Sequence, residues 1–79
     1  GDDYIFTVKN YSNYIIKEIK VKFTNTKCGS WDKFLTDKGD IRKFNLTINE
    51  NQSMELIAKN VRGQNEGGCF AMIDLKGIK

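Results

Sequence analysis

The chain has 79 residues, a formal charge of +3 and neither histidine nor proline. A chain of this length forms one domain, expected over residues 1–79, and buries only about 60–65% of its unfolded surface, so its core is small. Charges of both signs are mixed along the chain, without a basic arm, so we expect no nucleic-acid partner. No apolar run approaches the ~20 residues that span a bilayer, so we expect no membrane span. Without histidine, the standard catalytic triads and dyads lack their base.

The first two apolar segments alternate apolar with polar residues, which is the period of a half-buried strand. The apolar positions are Tyr4, Phe6 and Val8 in the first segment, and Ile15, Ile19, Val21 and Phe23 in the second. The opposite side of the second segment carries Glu18, Lys20, Lys22 and Thr24. This side is expected to face solvent, where Lys20 and Lys22 would protect an exposed edge. The turn at residues 10–13 allows the two strands to pair as a hairpin or to cross between two sheets.

Two further alternating segments flank a predicted turn at residues 49–52. Their apolar positions are Phe44, Leu46 and Ile48 before the turn, and Met54, Leu56 and Ala58 after it. We expect these two strands to pair as a hairpin. A last strand is predicted from Cys69 to Leu75. It is apolar on both sides, with Cys69, Ala71, Ile73 and Leu75 on one side and Phe70 and Met72 on the other. We therefore expect this strand to be covered on both sides.

The segment around Trp31, Phe34 and Leu35 fits a weak strand and one helical turn equally well. Elsewhere β-branched and aromatic residues fill the apolar runs, no segment favours a helical stripe, and turn signals recur about every ten residues. The pattern predicts an all-β domain, either an antiparallel sandwich or a small barrel. We favour a small immunoglobulin-like sandwich of about six or seven strands.

Cys28 follows one predicted strand and Cys69 begins another. A disulfide between them would stabilise the fold by about 4 kcal/mol in the loop-entropy model, which is comparable to the whole stability of a small domain. The alternative is two free buried thiols in a cytosolic protein. The small core favours the disulfide and a secreted or periplasmic location. Two cysteines without a Cys-x-x-Cys pair or a histidine supply neither a redox motif nor a zinc site, so we expect no metal and no cofactor.

Candidate catalytic groups are few. Asp37 and Asp40 flank a turn, where acidic residues are usually solvated, and no further spaced oxygen ligands follow for calcium. No catalytic residue is predicted, and the protein is not expected to be an enzyme. Three Asn-x-Ser/Thr sequences, at Asn10, Asn45 and Asn51, fit the acceptor pattern for N-glycosylation, against about one expected by chance.

Surface recognition remains as a function. The candidate binding residues are Tyr11, Tyr14, Trp31, Arg62, Lys20 and Lys22. Tyrosine, tryptophan and arginine are the residues that most often anchor protein interfaces, and aromatic rings also serve sugar sites. Trp31 has a second interpretation, as the central core residue of the sandwich.

Several short motifs resemble those of small secreted bacterial immunoglobulin-like β-sandwich proteins of unassigned function. The motifs are Phe6-Thr-Val-Lys-Asn10, Ile16 with Ile19, Trp31-Asp-Lys-Phe-Leu35, and the strand from Cys69 through Asp74 to Gly77. The resemblance implies the fold and no particular activity. The wide interval between the two cysteines is also similar to that of fungal effector sandwiches with one disulfide. Here, however, two strands precede Cys28, whereas the effector pattern begins at its first cysteine.

The predicted function is a non-catalytic, secreted and monomeric module that recognises a protein, in the manner of an effector or an adhesin. A contiguous exposed aromatic and basic patch beside the loops would support this function. One alternative is a carbohydrate-binding module in which an exposed Trp31 and a tyrosine stack on a sugar. Another is a small enzyme inhibitor that uses the loop from Arg62 to Gly68.

Overall fold

The computed structural model describes residues 1–61 and 68–79, which form five strands and one short helix. The elements are β1 (Asp2–Lys9), β2 (Ile15–Lys27), α1 (Trp31–Thr36), β3 (Asp40–Ile48), β4 (Ser53–Val61) and β5 (Gly68–Ile78). A two-stranded sheet has the order β1-β4 and a three-stranded sheet has the order β3-β2-β5, all antiparallel. The predicted all-β class is confirmed, with five strands in the described part of the chain instead of six or seven. None of the described helical residues forms a segment long and apolar enough to cross a membrane.

The hydrophobic core lies between the two sheets. Its buried members are Ile16, Ile19, Val21, Phe23, Ile48, Leu56, Ala58 and Val61. Phe23 contacts the two-stranded sheet directly, with its ring centroid 5.5 Å from that of Tyr4 and 6.4 Å from that of Phe6. The predicted alternation in β1, β3 and β4 is confirmed, because the predicted apolar positions of these strands are buried or half-buried and the residues between them are exposed.

The start of β2 differs from the prediction. Ile16 is buried in the core, whereas Ile15 is only half-buried. The pairing of β2 with both neighbours is irregular between Ile16 and Glu18. A bulge of this kind inserts one residue and reverses the alternation before it, so Ile16 takes the inner position expected for Ile15.

The predicted hairpin between β3 and β4 is wrong. The turn at residues 49–52 instead carries the chain from one sheet to the other, as the turn at residues 10–13 also does. The backbone of Asn10 explains this path: its N–H donates to the Gln52 carbonyl and its carbonyl accepts from the Asn51 N–H, both at 2.9 Å. The turn after β3 is therefore held by the end of β1, and β4 continues as the partner of β1.

The outer side of β2 is covered, contrary to the prediction that it faces solvent. Lys22 is only 5% exposed: its Nζ donates to the Leu35 carbonyl of α1 at 3.1 Å and lies 5.4 Å from the centre of the Phe34 ring. Lys20 is half-buried. These two lysines do not protect an edge, because β2 is the central strand of its sheet.

The turn before β3 requires glycine. Gly39 has a φ of 57°, and a Cβ atom there would lie 2.7 Å from the carbonyl oxygen of Phe23. A side chain at this position would be strained by its backbone conformation and would collide with β2. The close approach lets the chain turn back beside β2 and begin β3.

The expectation that β5 is covered on both sides is also wrong. β5 pairs with β2 alone among the described strands, so it is an edge strand. Phe70 lies opposite Phe23 and Met72 opposite Val21, so both point to the inner side of the sheet, and Leu75, predicted on the other side, joins them opposite Ile19. Ile73 is an extra residue between the partners of Lys20 and Val21. This bulge explains why a single alternation cannot describe the whole strand.

Candidate functional site

The structure does not bring the predicted binding residues into one patch. Tyr11 and Tyr14 are exposed in the turn before β2, whereas Trp31 is exposed after the other end of this 13-residue strand. Lys20 is half-buried and Lys22 is buried beside α1, so neither is an exposed binding residue. Arg62, together with most of the loop considered for enzyme inhibition, lies outside the described residues.

The disulfide between Cys28 and Cys69 is confirmed. It joins residues 41 positions apart and ties the beginning of β5 to the segment that follows β2. Next to it, the Thr24 hydroxyl on β2 donates to the Cys69 carbonyl at 3.0 Å. One end of the edge strand is thus fixed to its sheet both by a covalent bond and by a partly buried hydrogen bond.

The two acidic residues considered for catalysis serve local structure. Hydrogen bonds from the Thr26 hydroxyl at 2.7 Å and the Gly39 N–H at 2.9 Å hold the pKa of Asp37 below its ordinary value. Asp40 accepts two 2.8 Å bonds from the guanidinium of Arg42. Within the described ranges, no group of three or more histidine, cysteine, aspartate or glutamate side chains could hold a metal ion.

The largest irregularity of the sandwich is the exposed inner side of β5. Phe70 and Met72 are each 47% exposed and Leu75 is 43% exposed. Their cross-strand partners on β2, which are Phe23, Val21 and Ile19, are at most 3% exposed. The difference follows from the strand numbers, because a two-stranded sheet cannot cover a three-stranded one.

The opposite side of the sandwich is closed. There the Arg42 guanidinium reaches from β3 to β4 and donates to the carbonyls of Lys59 at 2.6 Å and Asn60 at 3.1 Å. β3 thus faces β4, and β1 faces β2 through the aromatic contacts of Phe23. The Phe6 ring of β1 reaches the Phe70 ring of β5, with centroids 6.1 Å apart. No described strand lies over Met72 and Leu75, so the sandwich is open between β1 and this part of β5.

This opening forms an apolar groove whose walls are β1 and β5. It consists of two adjoining hollows of about 420 and 290 Å³, which share Val8, Lys9 and Met72. Ile19 and Val21 line the bottom of the smaller hollow. The size is that of a site for a ligand or for several side chains of a partner.

One end of the groove is aromatic and basic. Tyr11 and Tyr14 line the larger hollow. The Nζ atom of Lys9 lies 5.0 Å from the centre of the Tyr11 ring, and that of Lys79 lies 5.2 Å from the centre of the Tyr14 ring. Neither lysine forms an ion pair with any residue that the structure describes. Positive charge at this end is therefore available to a ligand.

Trp31 forms a separate surface feature on α1. It is 57% exposed, so the interpretation as a core residue is wrong. One face of its indole stacks on the buried Phe34 ring, with centroids 5.0 Å apart and an interplanar angle of 18°. The exposed fraction leaves the other face accessible, which is the condition for a sugar-stacking platform.

Comparisons of the chain with family models, curated proteins and solved structures give no match. The groove is thus defined by geometry alone. Sequence reasoning selected Tyr11 and Tyr14 but missed Lys9, Lys79 and the inner residues of β5. The available signal was the apolar character of both sides of the last strand, which indicated cover by another element that none of the described residues provides.

Proposed function

We propose that the protein is a non-catalytic module that recognises another protein through the groove between β1 and β5. The observation that carries this proposal is the exposure of Phe70, Met72 and Leu75 on the inner side of a β-sheet. Contiguous apolar surface of this kind, bordered by polar and aromatic residues, is typical of interaction sites. An effector-like or adhesin-like role fits this surface.

The composition of the groove supports protein recognition over catalysis. Its bottom is formed by rigid core residues, and its open end carries two tyrosines, which supply large contact area at low entropic cost. The disulfide that fixes β5 supports a secreted or periplasmic location, because such bonds persist in oxidising compartments.

A peptide-display selection on the oxidised protein tests the proposed function. We expect it to enrich peptides that bind the wild type and lose about tenfold or more in affinity for Leu75→Lys, because the lysine places a charge in the apolar groove. The matched control is Ile41→Lys, since Ile41 is also an exposed apolar strand residue, 52% exposed, but lies on β3 away from the groove. Peptides that bind Leu75→Lys and the wild type equally would contradict the proposal.

A carbohydrate-binding function is the second candidate, and the exposed indole of Trp31 is the observation that favours it. The chain has a single tryptophan, so its fluorescence reports this site alone. If the function is correct, a panel of oligosaccharides will include one that saturably changes the emission, and Trp31→Ala will abolish its binding by calorimetry. The control Leu35→Ala changes an exposed neighbour on the same helix and should retain binding. Flat titrations across the panel would exclude this candidate.

A further inference from the structure

We infer that the occupant of the groove is an extended segment of a partner protein, which adds to β1 as a third strand and places an acidic group near Lys9 and Lys79. The inference rests on the proposed function and specifies its ligand. Three features of the described residues carry it: a backbone edge of β1 that pairs with no described strand, the exposed inner side of β5, and two lysines at one end of the groove that form no ion pair with a described residue.

The backbone of β1 has hydrogen-bonding groups directed at the groove. Asn10 uses both its N–H and its carbonyl toward the β4 side. Because these directions alternate along an antiparallel strand, Val8 also points its backbone groups to β4, whereas Thr7 and Lys9 point theirs to the other edge. β4 is the only described strand that pairs with β1, and residues 6–9 of β1 line the groove. The groove therefore borders a strand edge that can accept a partner strand.

A strand added at this edge would lie over β5. The two sheets already face each other strand by strand, with β4 opposite β3 and β1 opposite β2. A third strand beside β1 completes this arrangement, and its inward side chains would cover Phe70, Met72 and Leu75. Since side chains of a strand alternate between faces, the segment needs apolar residues at every second position only.

Backbone hydrogen bonds along the edge also add to the binding free energy. Phe70, Met72 and Leu75 are already about half-buried, so a ligand that covers them removes only the rest of their surface from water. Association also costs translational and rotational entropy. Backbone hydrogen bonds to β1 therefore supply further affinity, and they set the register of the segment.

The positive charges of Lys9 and Lys79 favour an acidic group at one end of the bound segment. Lys9 and Lys79 are held over tyrosine rings at the same end, without a carboxylate partner in the described part of the chain. An acidic side chain or a terminal carboxylate of the segment would pair with them at short range. Orientation of the segment along β1 follows from this pairing.

The test uses synthetic peptides of about eight residues, the length of β1. Valine or leucine alternates with threonine, and one end carries two glutamates. Two further versions carry three N-methyl groups each, on alternate residues in either of the two phases. We expect one phase to lower the affinity about a hundredfold and the other to have little effect, because only one set of amides faces β1. Amide exchange of Thr7 and Lys9 should slow on binding of the unmethylated peptide.

Charge reversal tests the orientation. The double variant Lys9→Glu with Lys79→Glu should weaken binding of the acidic peptide about tenfold and favour a peptide with two lysines in place of the glutamates. The control is Lys33→Glu with Lys59→Glu, which reverses two exposed lysines on α1 and β4. If the wild type binds the acidic and the basic peptide with equal affinity, the inferred pairing of an acidic group with Lys9 and Lys79 is wrong.

The outcomes separate the inference from the proposed function. Binding that Leu75→Lys abolishes but that neither N-methyl pattern changes would overturn strand addition and leave groove recognition standing. No binding of any designed or selected peptide would overturn both. A dimer in light scattering that Leu75→Lys dissociates would show that a second copy fills the groove, and would overturn the peptide ligand.

Discussion

At the scale of single residues, Asn10 joins the two sheets. Its side-chain nitrogen donates to the carbonyls of Tyr14 at 2.7 Å and Ile48 at 2.9 Å, and its side-chain oxygen accepts from the N–H and the hydroxyl of Ser12. The residue is 1% exposed. Asn10 therefore cannot accept a glycan in the folded protein, although it begins one of the three acceptor sequences. Asn45 and Asn51 are exposed.

Asn10→Asp tests this role, because the aspartate keeps the shape but loses the donor. A buried carboxylate would face the two carbonyl oxygens of Tyr14 and Ile48, so we expect the free energy of unfolding to fall by about 3 kcal/mol. Urea denaturation measures the change. The control is Asn13→Asp, which makes the same substitution at an exposed residue of the same turn. Equal midpoints for the two variants would contradict a structural role for Asn10.

The lowered pKa of Asp37 leads to a prediction for how the stability of the fold depends on pH. Its folded pKa is lowered by the bonds from Thr26 and Gly39, so the carboxylate stabilises the fold above the pKa of the unfolded chain. This contribution is lost as the pH falls through the folded pKa. Glu18 acts in the same direction, since its ion pair with Lys43 at 3.0 Å lowers its pKa. The urea midpoint should therefore fall as the pH is lowered below the ordinary carboxyl range.

Asp37→Asn should make this decline shallower, because an asparagine does not titrate. Urea midpoints across an acidic pH series measure the slope. Asp32→Asn on α1 is the control, since the structure shows no hydrogen bond or ion pair from the Asp32 side chain to the described residues. A slope for Asp37→Asn as steep as that of the wild type would contradict the assigned cause.

At the scale of elements, β5 depends on the disulfide more than the other strands do. Among the described strands it pairs with β2 alone, and its inner side is about half-exposed. We expect Cys28→Ser with Cys69→Ser to lower the free energy of unfolding by about 4 kcal/mol in the loop-entropy model. Because the bond fixes the start of β5, amide exchange in β5 should accelerate more than exchange in β1. The reduced wild type serves as a control, and uniform acceleration in all strands would contradict the local role.

Helix α1 shows why the prediction for the segment around Trp31 was ambiguous. α1 has six residues, which is too short to be stable by itself, and the Ser30 side chain makes no capping hydrogen bond. Phe34 is its one buried residue and packs over β2 beside Lys22. A segment with a single buried side chain carries no repeating apolar pattern, so its conformation follows from the surface on which it lies.

At the scale of the whole molecule, the open groove follows from an unequal number of strands in the two sheets. Alternation of apolar residues identified the inner side of β1, β3 and β4, because burial against any opposing sheet demands the same period. It could not assign β4 to the sheet of β1, since that choice depends on hydrogen bonds from Asn10 to a turn about 40 positions away. The predicted hairpin failed for this reason.

The sequence by itself determined the all-β class, the disulfide, the exposure of Tyr11 and the core role of Phe23, because each depends on local period, composition or loop closure. Only the tertiary structure decided which strands are neighbours, and hence that Lys22 is covered and that β5 is left open. Strand order depends on long-range hydrogen bonding. An alternating pattern shows which side of a strand is buried but does not specify which strand pairs with it. The candidate site arises from that order, so the sequence could show that both sides of β5 are apolar but not which side stays exposed.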